Sequence, residues 1–131
     1  MREIKFRGRK SNGEWVYGDL VTTETTDGIP TKKEILPFDK VIFDATEEVE
    51  EYTIGQFTGL HDKNGKEIYE GDILSQNGYI WGVYFEVGAF FLSKNGKHDP
   101  YDYGVERLNP YTASGSIVLT NIYDDPELLN E

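Results

Sequence analysis

Cysteine is absent from the chain, which excludes both a disulfide framework and a metal site built from thiolates. Long apolar runs are absent too, because none approaches the roughly 18 residues that a membrane-spanning helix needs. The charged N-terminal segment MREIKFRGRK has no apolar stretch behind it and does not read as a secretory signal. We therefore expect a cytoplasmic protein that does not contact a membrane.

Recognisable catalytic machinery is missing as well. The serines lie in no Gly-x-Ser-x-Gly elbow, and no glycine-rich loop precedes a helix in the way that phosphate binding requires. The two histidines, His61 and His98, lack the spacing of metal ligands, so we expect both at the surface. The sequence predicts no catalytic residue, no metal site and no cofactor.

One pair of acids is the exception. Glu70 and Asp72 are two residues apart and would share a strand face, where paired carboxylates can perform acid–base catalysis or hold a divalent cation. With Asp62 and Glu67 they make four acids within 11 residues, but without the ligand spacing of a calcium loop. The simpler interpretation is that Asp72, which follows Gly71, accepts backbone N–H bonds in a turn.

Asn-Gly dipeptides are the strongest local signal in the chain. Asparagine and glycine tolerate the positive φ that a type I′ turn needs at both central positions, so each pair between β-favouring runs predicts a hairpin. The pairs are Asn12-Gly13, Asn64-Gly65, Asn77-Gly78 and Asn95-Gly96, with Asp27-Gly28 as a fifth candidate. Regularly spaced turns between short strands predict a mainly β fold of antiparallel strands and hairpins.

Length and aromatic content bound the domain organisation. The 131 residues fit one domain, or two β subdomains of about 1–60 and 61–131 that share a core. The aromatic content is high, with 9 Tyr, 7 Phe and 2 Trp. Tyrosine suits half-buried strand faces, because its ring packs against apolar neighbours while its hydroxyl remains in contact with water.

A coarse map of the chain follows from these turns. The short strands after Gly71 predict an SH3-like barrel in the C-terminal part, and Asp125-Pro126-Glu127 predicts a short C-terminal helical turn. We expect segment 22–33 to form an exposed loop or a mobile hairpin tip, and segment 97–113 to form a loop. The acidic segment 44–51 is expected to form either a loop or a short helical turn.

The charge is unevenly distributed along the chain, and basic residues are concentrated in the first strand. Five basic residues and one acid give residues 1–10 a charge of +4. Because the net charge of the chain is −11, residues 11–131 carry a charge of −15. Alternation places Lys5, Arg7 and Arg9 on one face and Ile4 and Phe6 on the other, which predicts a solvated basic outer face. Gly8, inside this strand, indicates a bulge or a close backbone approach.

Three segments, in this order and spacing, resemble the YopX family of small phage and prophage proteins. They are REIKFR with WVYG, IGQFTGL with DKNGKEIYEGDI, and NIYDDPELL, which begin at Arg2, Trp15, Ile54, Asp62 and Asn121. The similarity extends over nearly the whole chain. It implies a β-rich phage-type protein without a settled biochemical activity, and it supplies no catalytic residue to carry over.

The motif residues read as a scaffold that fixes strand register. Asp62 can form an Asx-type turn ahead of the reversal at Asn64-Gly65, and the motif glycines mark close backbone approach or positive φ. The predicted scaffold positions are Gly55, Gln56, Phe57, Thr58, Gly59, Asp62, Asn64, Gly65, Ile68, Tyr69, Gly71, Asp72, Asn121, Ile122 and Tyr123.

The favoured hypothesis is a binding or regulatory module, a phage or prophage accessory protein that contacts a host or phage protein of unknown identity. The alternative is a nucleic-acid role, in which either the basic first strand binds phosphate or the acidic remainder imitates DNA. The net charge of −11 disfavours direct nucleic-acid binding. An enzyme using Glu70 and Asp72 is a third hypothesis, and homo-oligomers formed through strand edges are a further expectation.

Overall fold

The structure, a computed structural model, describes residues 3–23, 32–38, 45–86, 88–94 and 105–129. The chain divides into two compact units, Met1–Phe57 and Thr58–Glu131. The strand pairings of the described residues are antiparallel in both units. The mainly β fold predicted from the spacing of the turns is therefore confirmed.

The first unit is built on five strands of one antiparallel sheet. They are β1 (Phe6–Arg9), β2 (Trp15–Thr23), β3 (Lys32–Pro37), β4 (Glu47–Glu48) and β5 (Glu50–His61). Their order across the sheet is β4-β3-β2-β1-β5, and β5 continues into the second unit. The predicted N-terminal hairpin is confirmed, with Arg7 opposite Tyr17 and Arg9 opposite Trp15.

The sheet of the first unit curls back on itself because one segment pairs with both of its ends. β4 and β5 are separated by Val49 alone, yet Glu47 lies opposite Ile35 of β3 while Glu50 lies opposite Arg9 of β1. Val49 and Ile35 are both buried. Removing these side chains from water stabilises the bend, by about 1.5–3 kcal/mol for each fully buried aliphatic side chain.

Gly8 is a position at which the first unit has no room for a side chain. The register of β1 against β5 shifts between Arg7 and Arg9, as a glycine inside a strand predicts. A Cβ at Gly8 would lie 2.7 Å from Cγ2 of Val49. The missing side chain therefore lets β1 approach the bend at Val49.

The three described Asn-Gly pairs all join consecutive strands, but only one of them has the predicted type I′ geometry. Asn77 and Gly78 both have positive φ, 52° and 78°. At Asn12-Gly13 and Asn64-Gly65 the glycine alone has positive φ, and its N–H donates to the carbonyl three residues earlier. These two are three-residue loops with a type I turn followed by a glycine bulge. The sequence therefore predicted all three reversals correctly, but it predicted the turn geometry correctly only at Asn77-Gly78.

The second unit contains a five-stranded sheet and two short helices. Its elements are the end of β5, then β6 (Glu67–Tyr69), β7 (Asp72–Gln76), β8 (Tyr79–Glu86), β9 (Ala89–Lys94), β10 (Val105–Arg107), α1 (Pro110–Ser114), β11 (Ile117–Asn121) and a 3-10 helix (Pro126–Leu129). The sheet order is β10-β9-β8-β7-β11. The predicted C-terminal helical turn is confirmed, whereas closure into an SH3-like barrel stays a prediction.

The main hydrophobic cluster of the second unit lies on one face of this sheet. Trp81 of β8 lies opposite Leu74 of β7, and Val83 of β8 lies opposite Leu92 of β9. All four side chains are buried in one hydrophobic cluster. The Trp81 indole N–H donates to the carbonyl of Gln76 at 3.0 Å, so the buried ring keeps a partner for its polar atom.

The acidic segment 44–51 is more regular than predicted. The acidic segment contributes β4 and the start of β5, because pairing with β3 brings Lys32 within 3.6 Å of Glu48 and offsets part of the charge. Strands β2 and β3 pair as a hairpin in which Thr23 lies opposite Lys32, which agrees with the hairpin alternative for segment 22–33.

Segment 97–113 was predicted as a loop, and this prediction is wrong for its second half. β10 and all but the last residue of α1 fall in it. A capping box begins α1, in which the Asn109 side chain accepts from the Thr112 N–H at 3.0 Å while Thr112 Oγ1 accepts from the Asn109 N–H at 2.9 Å. No helix in the described part of the chain is long and apolar enough to cross a membrane.

Two predicted turns, Asp27-Gly28 and Asn95-Gly96, lie outside the described residues, as does His98.

We predict that Gly8→Ala lowers the free energy of unfolding by about 1–3 kcal/mol, because the new methyl group overpacks the bend against Val49. Urea denaturation followed by circular dichroism measures the change. Gly115→Ala is the matched control, since the nearest atom to a Cβ there lies 4.0 Å away, and we expect it to stay within about 0.5 kcal/mol of the parent.

A double-mutant cycle with Val49→Ala checks the cause of this loss. Gly8→Ala should cost much less in the Val49→Ala background, because the smaller side chain gives the new methyl group room. Equal costs in the two backgrounds would show that Val49 is not what excludes a side chain at Gly8.

Candidate functional site

An open pocket of about 390 Å³ lies in the first unit. Aromatic and apolar side chains form one part of its lining and charged side chains form the other. The lining residues are Trp15, Val16, Tyr17, Pro37 and Phe38, together with Lys10, Glu14 and Glu47. We call this site the aromatic pocket. Its volume falls in the range of sites that accept a small ligand or a few side chains of a partner.

Two neighbouring strands position the aromatic side of the pocket. Trp15 and Tyr17 are two residues apart on β2, so their side chains share a face of the strand. Pro37 ends β3, and the next residue, Phe38, donates its N–H to the Tyr17 carbonyl at 3.4 Å. Tyr17 is 43% exposed and Phe38 is 53% exposed. The rings therefore stand at the surface on a backbone that the sheet fixes.

A trio of charges forms the other side of the aromatic pocket. Nζ of Lys10 lies 3.6 Å from Oε2 of Glu14 and 3.5 Å from Oε2 of Glu47. Glu14 belongs to the first hairpin, whereas Glu47 reaches the pocket because β4 pairs with β3. The trio carries one net negative charge when all three groups are ionised.

The first strand contradicts the prediction of a solvated basic face. Arg7 is 4% exposed, and the side chains of Lys5 and Arg9 are 11% and 18% exposed, whereas Ile4 on the opposite face is 64% exposed. The face assignment from alternation was right, but the basic face is the covered one.

Aromatic rings explain how these cations are covered. The Arg7 guanidinium lies 4.7 Å from the centroid of Trp15, and Nζ of Lys5 lies 4.8 Å from the centroid of Phe57. A cation over a ring face is attracted by the ring quadrupole, and the methylene stems of Lys and Arg pack as apolar groups. Arg9 in turn lies 3.6 Å from Glu50, so a carboxylate balances its charge.

Asp62 is the centre of the hydrogen bonding around the second motif. Its Oδ1 accepts from the N–H groups of Asn64 at 2.8 Å and Lys66 at 2.9 Å, which makes the expected Asx-type turn. Its Oδ2 accepts from the Val118 N–H at 2.9 Å. One buried carboxylate therefore joins the β5–β6 hairpin to β11, and the Lys63 N–H adds a second link by donating to Ser116.

The surroundings of Asp62 favour its ionised form. Burial by itself raises the pKa of Asp62, but the N–H groups of Val118, Lys66 and Asn64, together with the charge of Lys66, outweigh it. The pKa of Asp62 is therefore lower than its usual 3.8.

Gly71 and Asn121 organise a second junction of the same unit. Gly71 has a φ of 91°, donates its N–H to the Val83 carbonyl and accepts from the Ile122 N–H, both at 2.8 Å. The Asn121 side chain accepts from the N–H groups of Tyr123 at 3.0 Å and Asp124 at 2.9 Å. A side chain at position 71 would strain this conformation, so glycine suits the junction.

The remaining motif residues are distributed over both units. In the first unit, Gly55 lies opposite Arg7 and Gln56 opposite Phe6, next to the buried ring of Phe57. In the second unit, Thr58 Oγ1 donates to the Ile68 carbonyl at 2.7 Å. The others there are Gly59 and Gly65, both with positive φ, and the buried Ile68 and Tyr69.

The carboxylate pair proposed for catalysis does not share a strand face. β6 ends at Tyr69 and β7 begins at Asp72, so Glu70 lies in the turn between two strands. Asp72 is buried and accepts the Tyr69 N–H at 2.7 Å, as expected of a turn acid. Among the described residues, no three His, Asp or Glu side chains lie close enough to hold a metal ion, and His61 is exposed.

Sequence reasoning does not identify the aromatic pocket. Its members come from the first hairpin, the end of β3 and β4, and only the curl of the sheet brings them together. No local signal distinguishes Phe38, which follows the last residue of β3 and still donates its N–H to the Tyr17 carbonyl of β2.

The family of the chain follows from its sequence as a whole. Residues 5–130 match the family model described as YopX protein. The chain belongs to the YopX family. The resemblance carried by the three motif segments is thereby confirmed, and the scaffold positions lie within the matched part of this YopX-family protein.

A solved structure has a similar fold. The YopX-family chain is similar to the crystal structure of protein EF1440 from Enterococcus faecalis, with a TM-score of 0.53 and 23% identity. The similarity covers 98% of this chain and 99% of that chain. At this identity the likeness concerns the fold alone. No curated protein matches the sequence.

We predict that Asp62→Asn lowers the free energy of unfolding by about 1–3 kcal/mol, because a charged acceptor for three N–H groups is lost and an amide replaces one oxygen. Chemical denaturation measures the loss. Asp19→Asn, at an exposed position of β2, removes the same charge and should change stability by less than about 0.5 kcal/mol. Equal losses in the two variants would contradict a specific role of Asp62.

The same residue predicts a dependence of stability on pH. Because the pKa of Asp62 is lower in the folded than in the unfolded chain, its contribution is fully present above the unfolded value and is lost as the pH falls through the folded one. Denaturation between pH 6 and about pH 2 should show a smaller acid loss in Asp62→Asn than in the parent. An identical pH profile for the two proteins would show that Asp62 is not responsible.

Proposed function

We propose that this YopX-family protein is a phage or prophage accessory protein that acts in the cytoplasm by binding another protein, with the aromatic pocket as the docking point. The observation that carries the proposal is the exposure of Tyr17 and Phe38 around an open pocket. Exposed large aromatic residues beside a concave site are typical of interaction surfaces.

The energetics of interfaces support this choice of site. A few aromatic and arginine anchors in pockets carry most of the binding free energy of protein complexes. Tyr17 stands on a paired strand, and Phe38 is held to it by a backbone hydrogen bond. Their backbone is therefore ordered before a partner arrives, which lowers the entropic cost of association.

The covered cations argue against the nucleic-acid alternative. Arg7 is buried against Trp15, and the side chains of Lys5 and Arg9 are mostly covered. Phosphate binding draws its free energy from cations that can reach the backbone of the nucleic acid. The acidic trio at the pocket would repel phosphate further, so we favour a protein as the partner.

Affinity capture tests the proposal. The tagged protein is incubated with a nuclease-treated lysate of the bacterial host, and bound proteins are quantified by mass spectrometry. We expect a stoichiometric partner whose recovery falls at least about tenfold with Phe38→Ala, since removal of an anchor residue costs that much or more. Tyr111→Ala is the control, because Tyr111 is a strongly exposed aromatic residue of α1 and lies outside the pocket.

Three results would overturn the proposal. Equal recovery with the two variants would move the docking point elsewhere, and a partner that is captured only from a lysate without nuclease treatment would favour a nucleic-acid role. Recovery of the bait alone would favour self-association, which sedimentation velocity measures directly.

A further inference from the structure

The trio of Lys10, Glu14 and Glu47 marks a place where a cation is stabilised at the aromatic pocket. Both carboxylates approach one ammonium group, at 3.6 Å and 3.5 Å. These distances exceed the roughly 2.7–2.9 Å of a charge-assisted hydrogen bond between an ammonium and a carboxylate. Lys10 therefore balances the two charges without strong hydrogen bonds, and the acceptor capacity of the carboxylates is incompletely used.

The aromatic side of the same pocket suits a planar cation. Within the chain, the rings already associate with cations, since Arg7 lies over Trp15 and Nζ of Lys5 lies 5.8 Å from the centroid of Phe38. Arginine combines stacking on aromatic faces with five donors in a rigid fork, whereas lysine presents a compact and strongly hydrated ammonium group. A guanidinium could thus contact the rings and bridge both carboxylates.

We propose that the aromatic pocket binds an arginine side chain in a basic, extended segment of the partner protein, with the guanidinium against Tyr17 and Phe38 and hydrogen-bonded to Glu14 and Glu47. Lys10 occupies the cation position in the free protein and is displaced when the arginine enters. This inference rests on the proposed function, because it names the partner chemistry of the same pocket.

The charge of the chain favours this occupant over two others. A net charge of −11 attracts basic segments and accelerates their encounter with the protein. A proline-rich segment would pack against the rings, but its prolines carry no charge and no donor that could interact with Glu14 and Glu47. A phosphate-bearing ligand would be repelled by the same two carboxylates.

Titration with defined peptides tests the inference on the full chain. The probes are acetylated and amidated tetra-arginine, tetra-lysine and tetra-proline, and the readout is the shift of the Trp15 and Tyr17 amide signals in heteronuclear NMR spectra. We expect tetra-arginine to bind tightest, to shift these signals first and to weaken with added salt. Binding of tetra-proline as tight as that of tetra-arginine would overturn the inference.

Charge variants separate a specific site from general attraction. Glu47→Gln should weaken tetra-arginine binding about fivefold, the upper range for an exposed charge pair. Glu48→Gln is the matched control, because this exposed neighbour carries the same charge but does not line the pocket, and it should change binding less than about twofold. Equal effects of the two changes would show that tetra-arginine binds by nonspecific electrostatic attraction, and they would overturn the proposed site.

Removal of the internal cation gives the most discriminating result. Lys10→Gln should tighten tetra-arginine binding about fivefold, because both glutamates become available to the guanidinium. Unchanged or weaker binding would overturn the role of Lys10. If no peptide binds while Phe38→Ala still loses the captured partner, the arginine site is wrong and the proposed function stands. If tetra-arginine binds and no partner is captured, the proposed function is the part that fails.

Discussion

The pairing of one segment with two strands is the constraint on which the first unit depends. Because Val49 alone separates β4 from β5, the residues before it pair with β3 and those after it pair with β1. This bend curls the sheet, leaves no space for a side chain at Gly8 and carries Glu47 to Lys10. The aromatic pocket is therefore a product of the strand pairing and not of a separate loop.

Cations have two different environments in the same unit. Aromatic rings cover Arg7 and Lys5, and the charged group of each side chain lies over a ring. These two residues therefore pack in the interior of the unit. Lys10 lies instead between two carboxylates at the edge of the pocket. The side chains of Lys10 and Glu47 are 27% and 38% exposed, so water partly screens this pair and limits its contribution to stability. The exchange of Lys10 for an external cation would thus cost the fold little, which is a property that a recognition site needs.

The sequence predicts what local chemistry determines. Asn12-Gly13, Asn64-Gly65 and Asn77-Gly78 join strands as expected, and the Asx-type turn at Asp62 follows from residues within four positions of it. The exposure of the first strand was predicted wrongly, because alternation says which residues share a face and not which face is covered. Which face is covered depends on the rings of Trp15 and Phe57, which contact Arg7 and Lys5 only in the folded chain. The pocket was missed for the same reason.

Asp62 has a consequence for the outer edge of the second sheet. β11 is the last strand in the order of that sheet, and the backbone groups of such a strand can template pairing with a foreign chain. The Val118 N–H is occupied by the Asp62 carboxylate and the Ser116 carbonyl by the Lys63 N–H. A hairpin tip thus closes part of an edge that would otherwise be open to aggregation. Protonation of one buried acid would weaken this protection together with the fold.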